Sequence, residues 1–185
     1  MTADTQLSKF ISMVLRHRAS QFDITLDAEG YTDIDALYAL VQQRYRNAWT
    51  YDDLIRVVTT PASDGKTRFE LHETRVRARY GHSEGVTDAP VQYEAAVPPA
   101  ILYHGTNEHA LTSIRQAGLT AQSRQYVHLS TTTTRALSVG SRRGKAVLLS
   151  VRALDAHAAG IVFYHPEDEH YLAEAIPAEF INFPS

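Results

Sequence analysis

Apolar positions in the first sixty residues recur with helical period. Leu7, Phe10, Ile11, Val14 and Leu15 fall at i, i+3, i+4, i+7 and i+8, which predicts a first helix over 7–17. It ends in Arg16-His17-Arg18, cations that a helix C-terminus accommodates readily. Asp27-Ala28-Glu29-Gly30 has turn chemistry. Thr32 with Asp35 three residues on has the form of a capping box, and Ile34, Leu37, Tyr38 and Val41 form a second stripe. Thr50 and Asp53 repeat the signal before a third stripe of Tyr51, Leu54, Ile55 and Val58. Thr59 to Gly65 breaks the pattern. The period then falls to two: Phe69 and Leu71 face one way, Arg68, Glu70 and His72 the other. Val76 and Ala78 point inward, and Arg75, Arg77 and Arg79 outward. This predicts a two-stranded hairpin with a basic outer face. Three short helices and a hairpin make a winged-helix-like N-terminal lobe over 1–80.

Residues 81–99 change texture, with Gly, Ser, Asp and prolines and no periodicity, and are expected to link two lobes. From residue 100 short apolar runs alternate with small helical segments. Ile101 to Tyr103 leads as a strand into His104-Gly105-Thr106. Ala110, Ile114 and Ala117 mark a helix that Gly118 stops. Tyr126 to Ser130 is a strand, and the Thr131–Thr134 run offers N-caps for a helix ended by Gly140. Ala146 to Val151, Ile161 to Tyr164 and Tyr171 to Ile176 are further strands, with a short helix from Leu154 to Ala159 closed by Gly160. The prediction is an α+β protein whose 100–185 lobe is a mixed sheet.

Composition narrows the class. With 44% apolar and 21% charged residues and no run of about 18 apolar residues, a membrane span is not expected. The opening residues lack the basic and apolar segments of a secretory signal, so the expected location is the cytoplasm. The absence of cysteine excludes disulfides, iron–sulfur clusters and thiolate zinc sites. A net charge of −3 argues against indiscriminate coating of nucleic acid. Yet Lys66, Arg68, Arg75, Arg77 and Arg79 lie within residues 66–79, which suits a few specific phosphate contacts.

Several chemistries can be set aside. His165 with His170, or His104 with His109, lacks HExxH spacing and a carboxylate set, so no metal is expected. No P-loop or Rossmann fingerprint occurs, since Gly140 to Lys145 has the glycines and cations at the wrong spacing. What remains are His104-Gly105-Thr106 and His128-Leu129-Ser130 at strand ends, together with basic residues at 16–18, 68 and 124. A His followed by Gly lets main-chain groups approach a flat, amide-bearing ring closely.

These motifs together resemble the KptA family of NAD-dependent RNA (tRNA) 2′-phosphotransferases. The resemblance is carried by Leu7-Ser8-Lys9-Phe10 through Val14-Leu15-Arg16-His17, Leu26-Asp27-Ala28-Glu29-Gly30 with Asp33-Ile34-Asp35, and Lys66-Thr67-Arg68-Phe69. It continues through Val76 to Ser83, Leu102 to Thr106, Gln125 to Ser130 and Val139-Gly140-Ser141-Arg142, spanning residues 7–182 in the family's order. Two segments depart from it. Tyr80 stands where the family has Gln before Gly-His-Ser, and Asp168-Glu169-His170-Tyr171-Leu172-Ala173 stands for the family's Asn-Gly-Val-Trp-Leu-Thr.

The resemblance implies an RNA-binding N-terminal lobe and a C-terminal ADP-ribosyltransferase-like lobe that holds NAD, consumed as co-substrate. It implies a catalytic tetrad of Arg16, His17, Arg68 and Arg124, with His104, Gly105, Thr106, His128, Leu129, Ser130 and Arg142 binding the cofactor and no metal. Arg18 is assigned no role. The implied reaction removes an internal 2′-phosphate from tRNA-like RNA by way of an ADP-ribosylated 2′-phospho-RNA, followed by transesterification. Its products are 2′-hydroxyl RNA, ADP-ribose 1″,2″-cyclic phosphate and nicotinamide. Arg forks suit a dianionic phosphate monoester, and an imidazole titrates near neutrality. The alternative is an NAD-dependent ADP-ribosyltransferase acting on nucleic-acid ends or protein, which would not need all four tetrad residues. A monomer without membrane contact is expected.

Overall fold

In the computed structural model the described residues are 3–62, 65–141 and 145–184. The chain divides into two compact units, Met1–Gln92 and Tyr93–Ser185.

In the first unit, helix α1 spans Ala3–Met13 and buries Leu7, Phe10 and Ile11. The α-helix does not run to His17. Val14–Arg18 form one π-helical turn, and Ala19–Phe22 a 3₁₀ turn that Asp23 closes in the left-handed region. The wider turn keeps Val14 and Leu15 fully buried while carrying Arg16, His17 and Arg18 past the apolar face. Side-chain periodicity over five residues is too coarse to register this change of backbone hydrogen bonding.

Strand β1 (Tyr31–Asp33) follows, then α2 (Ile34–Tyr45). The cap of α2 is Asp33, not the expected Thr32: the Asp33 carboxylate accepts from the amides of Asp35 (2.8 Å) and Ala36 (3.2 Å). Thr32 is instead buried in β1 opposite Val76, so its hydroxyl is not at the helix start. Helix α3 (Tyr51–Thr59) begins with the expected Thr50–Asp53 capping box. Strands β2 (Phe69–His72) and β3 (Arg75–Ala78) form the expected hairpin, and β1 adds on β3 to make an antiparallel sheet β1-β3-β2. The three stripes meet over this sheet in one core that includes Leu15, Leu37, Leu54, Phe69 and Val76. Beyond the hairpin, Tyr80, His82 and Val91 are buried within the same unit. Gly30 turns at φ +81° beside His82 and Val91, and a Cβ there would stand 3.2 Å from the His82 ring.

The second unit contains β4 (Ile101–Asn107), α4 (Leu111–Ala117), β5 (Leu119–Thr120), β6 (Val127–Ser130), α5 (Thr133–Gly140), β7 (Ala146–Arg152) and α6 (Ala153–Ala158). It ends with β8 (Phe163–Glu167), β9 (His170–Ala173), β10 (Ala175–Ile176) and β11 (Ile181–Asn182). Six strands lie in the order β11-β7-β4-β6-β9-β8, and β10 pairs separately with β5. The expected mixed sheet does not form: among the described residues every strand pairing is antiparallel. For β8 and β9 the tight turn between them permits nothing else. Residues 93–99 run with this unit, where Ala96 donates its amide to the Phe163 carbonyl at 2.8 Å.

The Thr run does not cap α5 with a side chain. Thr132 occupies the cap position, and its amide is taken by the Ser130 hydroxyl at 3.1 Å. Gly140 ends α5 as expected, as its buried last residue. Its place follows from close packing: a Cβ on Gly105 would lie 1.7 Å from the Ala136 carbonyl oxygen, and one on Gly140 would lie 2.6 Å from the Thr106 carbonyl oxygen. Paired glycines let α5 sit directly on β4. The protein is thus α+β with several sheets, and none of its described helices is long and apolar enough to cross a membrane.

Candidate active site

The first unit gathers three of the expected residues. Arg16 and His17 lie on the π-helical turn, and Arg68 lies just ahead of β2. The Arg16 guanidinium donates from Nη2 to the Arg68 carbonyl at 3.4 Å, and the same carbonyl accepts the Arg79 amide at 3.0 Å. Its Cζ lies over the Tyr80 ring, 4.8 Å from the centroid. Tyr80 is buried, so the ring is a fixed platform, and cation–π attraction of this kind contributes about 0.5–2 kcal/mol. The departure at residue 80 therefore replaces an amide by an aromatic support for Arg16.

His17 is exposed, and its Nδ1 shares a 2.7 Å hydrogen bond with the Ser83 hydroxyl. The Ser83 amide donates to the Arg16 carbonyl at 2.8 Å. Ser83 thus grips the turn twice, once by main chain and once by side chain. Neither Tyr80 nor Ser83 was singled out by pattern as a site residue. The only available signal was their place in the segment that runs to the Gly-His-Ser motif.

Two cations of the hairpin's basic outer face are held by carboxylates. Arg77 donates from Nε (3.0 Å) and Nη2 (2.8 Å) to one Glu70 oxygen, and Arg75 is ion-paired with Asp27. Both guanidinia cover the Tyr31 ring, at 4.5 and 4.8 Å. Burial alone would raise the Glu70 carboxyl, but hydrogen bonds and charge from Arg77 outweigh it and hold it below its usual range. Two of the five clustered cations therefore serve the sheet, with Tyr31 of β1 as their common support.

Arg124, the fourth expected residue, belongs to the second unit, in the turn that its amide closes on the Ala121 carbonyl at 3.0 Å. Also in this unit, β4 and β6 are paired only at Tyr103–Ser130. Where the ladder stops, the His104 ring takes over: Nδ1 donates to the His128 carbonyl at 2.9 Å. Burial pushes the His104 imidazole below its ordinary value, and this hydrogen bond opposes the shift only in part, so the neutral ring is favoured. Thr106, Leu129 and Ser130 are buried in the same strands. Gly105 is required by α5, as its packing shows. Arg142 lies outside the described residues.

The His128 ring is not isolated. Its Nδ1 is 2.8 Å from Nε2 of His170 on β9, and His170 Nδ1 is 3.1 Å from Nη2 of Arg135 on α5, which is ion-paired with Glu167 on β8. Arg135, Glu167 and His170 were not read from the sequence as site residues, because they come from three separate segments. No group of three or more His, Asp or Glu side chains among the described residues is arranged to hold a metal ion.

Comparison with known proteins agrees with this arrangement of motifs. Residues 2–175 match the family described as RNA 2′-phosphotransferase, Tpt1 / KptA family. A Pseudomonas aeruginosa protein carrying the description "Probable RNA 2′-phosphotransferase" is 43% identical over 177 residues, covering 95% of this chain and 94% of its own length. A protein of the same description from Rhodopirellula baltica is 41% identical over 190 residues and all of both chains. One from Acetivibrio thermocellus is 38% identical over 182 residues, or 97% and 96% of the two chains. The chain is a transferase-class protein. It belongs to the Tpt1 / KptA family of RNA 2′-phosphotransferases.

Proposed function

We propose that the protein removes an internal 2′-phosphate from RNA at the expense of NAD, with Arg16, His17, Arg68 and Arg124 as catalytic residues. On this reading the first unit is a winged-helix-like RNA-binding lobe within residues 1–80. The second unit is an ADP-ribosyltransferase-like, NAD-binding lobe with its body over 100–185, and the connection expected within 81–99 falls at the division between Gln92 and Tyr93. What supports the assignment most directly is the π-helical turn, which holds Arg16 and His17 beside the Arg68 main chain and is tied twice by Ser83. Such turns recur at functional sites.

NAD supplies the electrophilic ribose carbon and nicotinamide as leaving group, so the RNA phosphate is itself the nucleophile and no activated protein nucleophile is needed. Arg16, Arg68 and Arg124 hold the phosphoryl oxygens and stabilise the charge that shifts among them. In the second step a neighbouring ribose hydroxyl attacks phosphorus, the bond from phosphorus to the RNA 2′-oxygen breaks, and that oxygen leaves as the hydroxyl. His17 moves the proton: it takes one from the attacking hydroxyl or returns one to the departing oxygen. Its Ser83 partner suits this work, since a hydroxyl can donate to or accept from the ring as the ring changes state. In the second unit His104 fits a ribose or amide group, because its Nδ1–H is committed to a carbonyl and Nε2 is left as the acceptor. Gly105, Thr106, His128, Leu129, Ser130 and Arg142 complete the proposed NAD-binding set.

The test is a short RNA with one internal 2′-phosphate, incubated with labelled NAD. Loss of the phosphate together with cyclic-phosphate ADP-ribose is the expected result. Transfer of label to RNA or protein without phosphate loss would favour a plain ADP-ribosyltransferase, and no NAD-dependent change would overturn both readings.

A further inference from the structure

The His128–His170–Arg135 chain determines where its protons are. A guanidinium has only donors and stays protonated, so the 3.1 Å contact from Arg135 Nη2 makes His170 Nδ1 an acceptor. With Nδ1 accepting, the neutral His170 ring carries its proton on Nε2, and that N–H faces His128 Nδ1, 2.8 Å away. His128 Nδ1 is then an acceptor too, and the His128 proton is on its Nε2. Glu167 anchors the other end through its ion pair with Arg135, and it stands opposite His170 in the register of β8 and β9. The sheet sets the spacing: Ser130 pairs with His170 and His128 with Leu172, so the two imidazoles are diagonal neighbours, 4.9 Å between centroids. The Arg135 and Glu167 side chains are mostly buried, at 15% and 8% exposure, so water competes weakly for this chain.

We propose that Arg135 and His170 are positioning residues that hold His128 as the neutral tautomer protonated at Nε2, making it a fixed donor. His104 is held the opposite way, with Nδ1–H given to the His128 carbonyl and Nε2 the acceptor. The second unit then offers one imidazole donor and one imidazole acceptor that cannot exchange roles. This polarity selects a ligand with an acceptor oxygen for His128 and a hydroxyl or amide N–H for His104. That these act on NAD rests on the function proposed above; the tautomer lock does not.

Long-range ¹H–¹⁵N NMR of the wild-type protein near neutral pH reads the tautomers without any ligand. The expected spectrum has His128 and His170 protonated at Nε2 and His104 at Nδ1. A His128 ring protonated at Nδ1, or a doubly protonated His170, overturns the lock. In His170→Val, His128 is expected to become a tautomer mixture and the KM for NAD to rise roughly tenfold, as one lost hydrogen bond implies, with kcat within about twofold. His170→Gln, whose amide can both accept from Arg135 and donate to His128, is expected to restore the single tautomer and most of the KM. An unchanged His128 tautomer in His170→Val also overturns the lock. Wild-type protein that shows the lock but consumes no NAD would instead overturn the functional reading and leave the lock standing.

Discussion

The histidines of the two units are used in opposite ways. His17, in the first unit, sits exposed on a π-helical turn and is partnered by the hydroxyl of Ser83, which rotates and can serve either protonation state. His104, in the second unit, donates to a main-chain carbonyl that can only accept, and burial disfavours its charged form. The same side chain thus has a reversible hydrogen bond in one environment and is a fixed dipole in the other. The imidazole is identical; the freedom of its partner to reverse the hydrogen bond decides the role.

Removing the proposed proton carrier, His17, breaks the comparison most severely. His17→Ala is expected to lower turnover roughly 10²–10⁴-fold, the usual range for a general acid–base group, with the fold intact because the ring is exposed. Steady-state kinetics on 2′-phosphorylated RNA checks this, and near-normal turnover would remove His17 from the mechanism. Arg68→Ala is expected to slow the second step, so that ADP-ribosylated RNA builds up in single-turnover gels. Wild-type turnover in that variant would make the assignment of Arg68 wrong.

On the rigid side, Gly105→Ala drives a Cβ into the Ala136 carbonyl and is expected to cost about 3 kcal/mol or more, measured by urea unfolding of the whole chain. A Ser83→Ala change removes one of two grips on the turn. It is expected to lower kcat roughly tenfold with little effect on the KM for RNA, and to shift the pH–rate profile; a change in KM alone would argue against a link to His17.

Two smaller effects sharpen the contrast. Because the folded-state value of His104 lies below the ordinary 6.5, the unfolded chain binds the proton more readily. His104 therefore adds stability above about pH 6.5, and this is lost as the pH falls below 6.5 toward the depressed folded value. Chemical unfolding at pH 7.5 and 5.5 should show a smaller loss in His104→Asn than in wild type. Arg77→Gln is expected to change RNA affinity less than about threefold, since the guanidinium is held by Glu70 and Tyr31. A large drop with a steep salt dependence would return Arg77 to the RNA surface.

Much of the molecule was decided by the sequence alone. Leu7 to Leu15, Ile34 to Val41 and Tyr51 to Val58 had to be helices, because their apolar residues recur with helical period and only that geometry puts them on one face. The Thr50–Asp53 cap and the alternation over Phe69–Ala78 are equally local, and both appear as expected. The order of the motifs was enough to place the chain in its family. Tertiary structure alone decided what those residues touch. The π-helical turn under Arg16 and His17 is a change in main-chain hydrogen bonding that leaves no periodic trace. Tyr80 under Arg16, Asp27 and Glu70 on the hairpin arginines, and Arg135 behind His170 join residues far apart in the chain. Local patterning fixes which face of an element is buried. It carries no information on which distant donor meets which acceptor, and in this protein those meetings decide whether the partner of a histidine can reverse the hydrogen bond, as the Ser83 hydroxyl can, or only accept it, as the His128 carbonyl must.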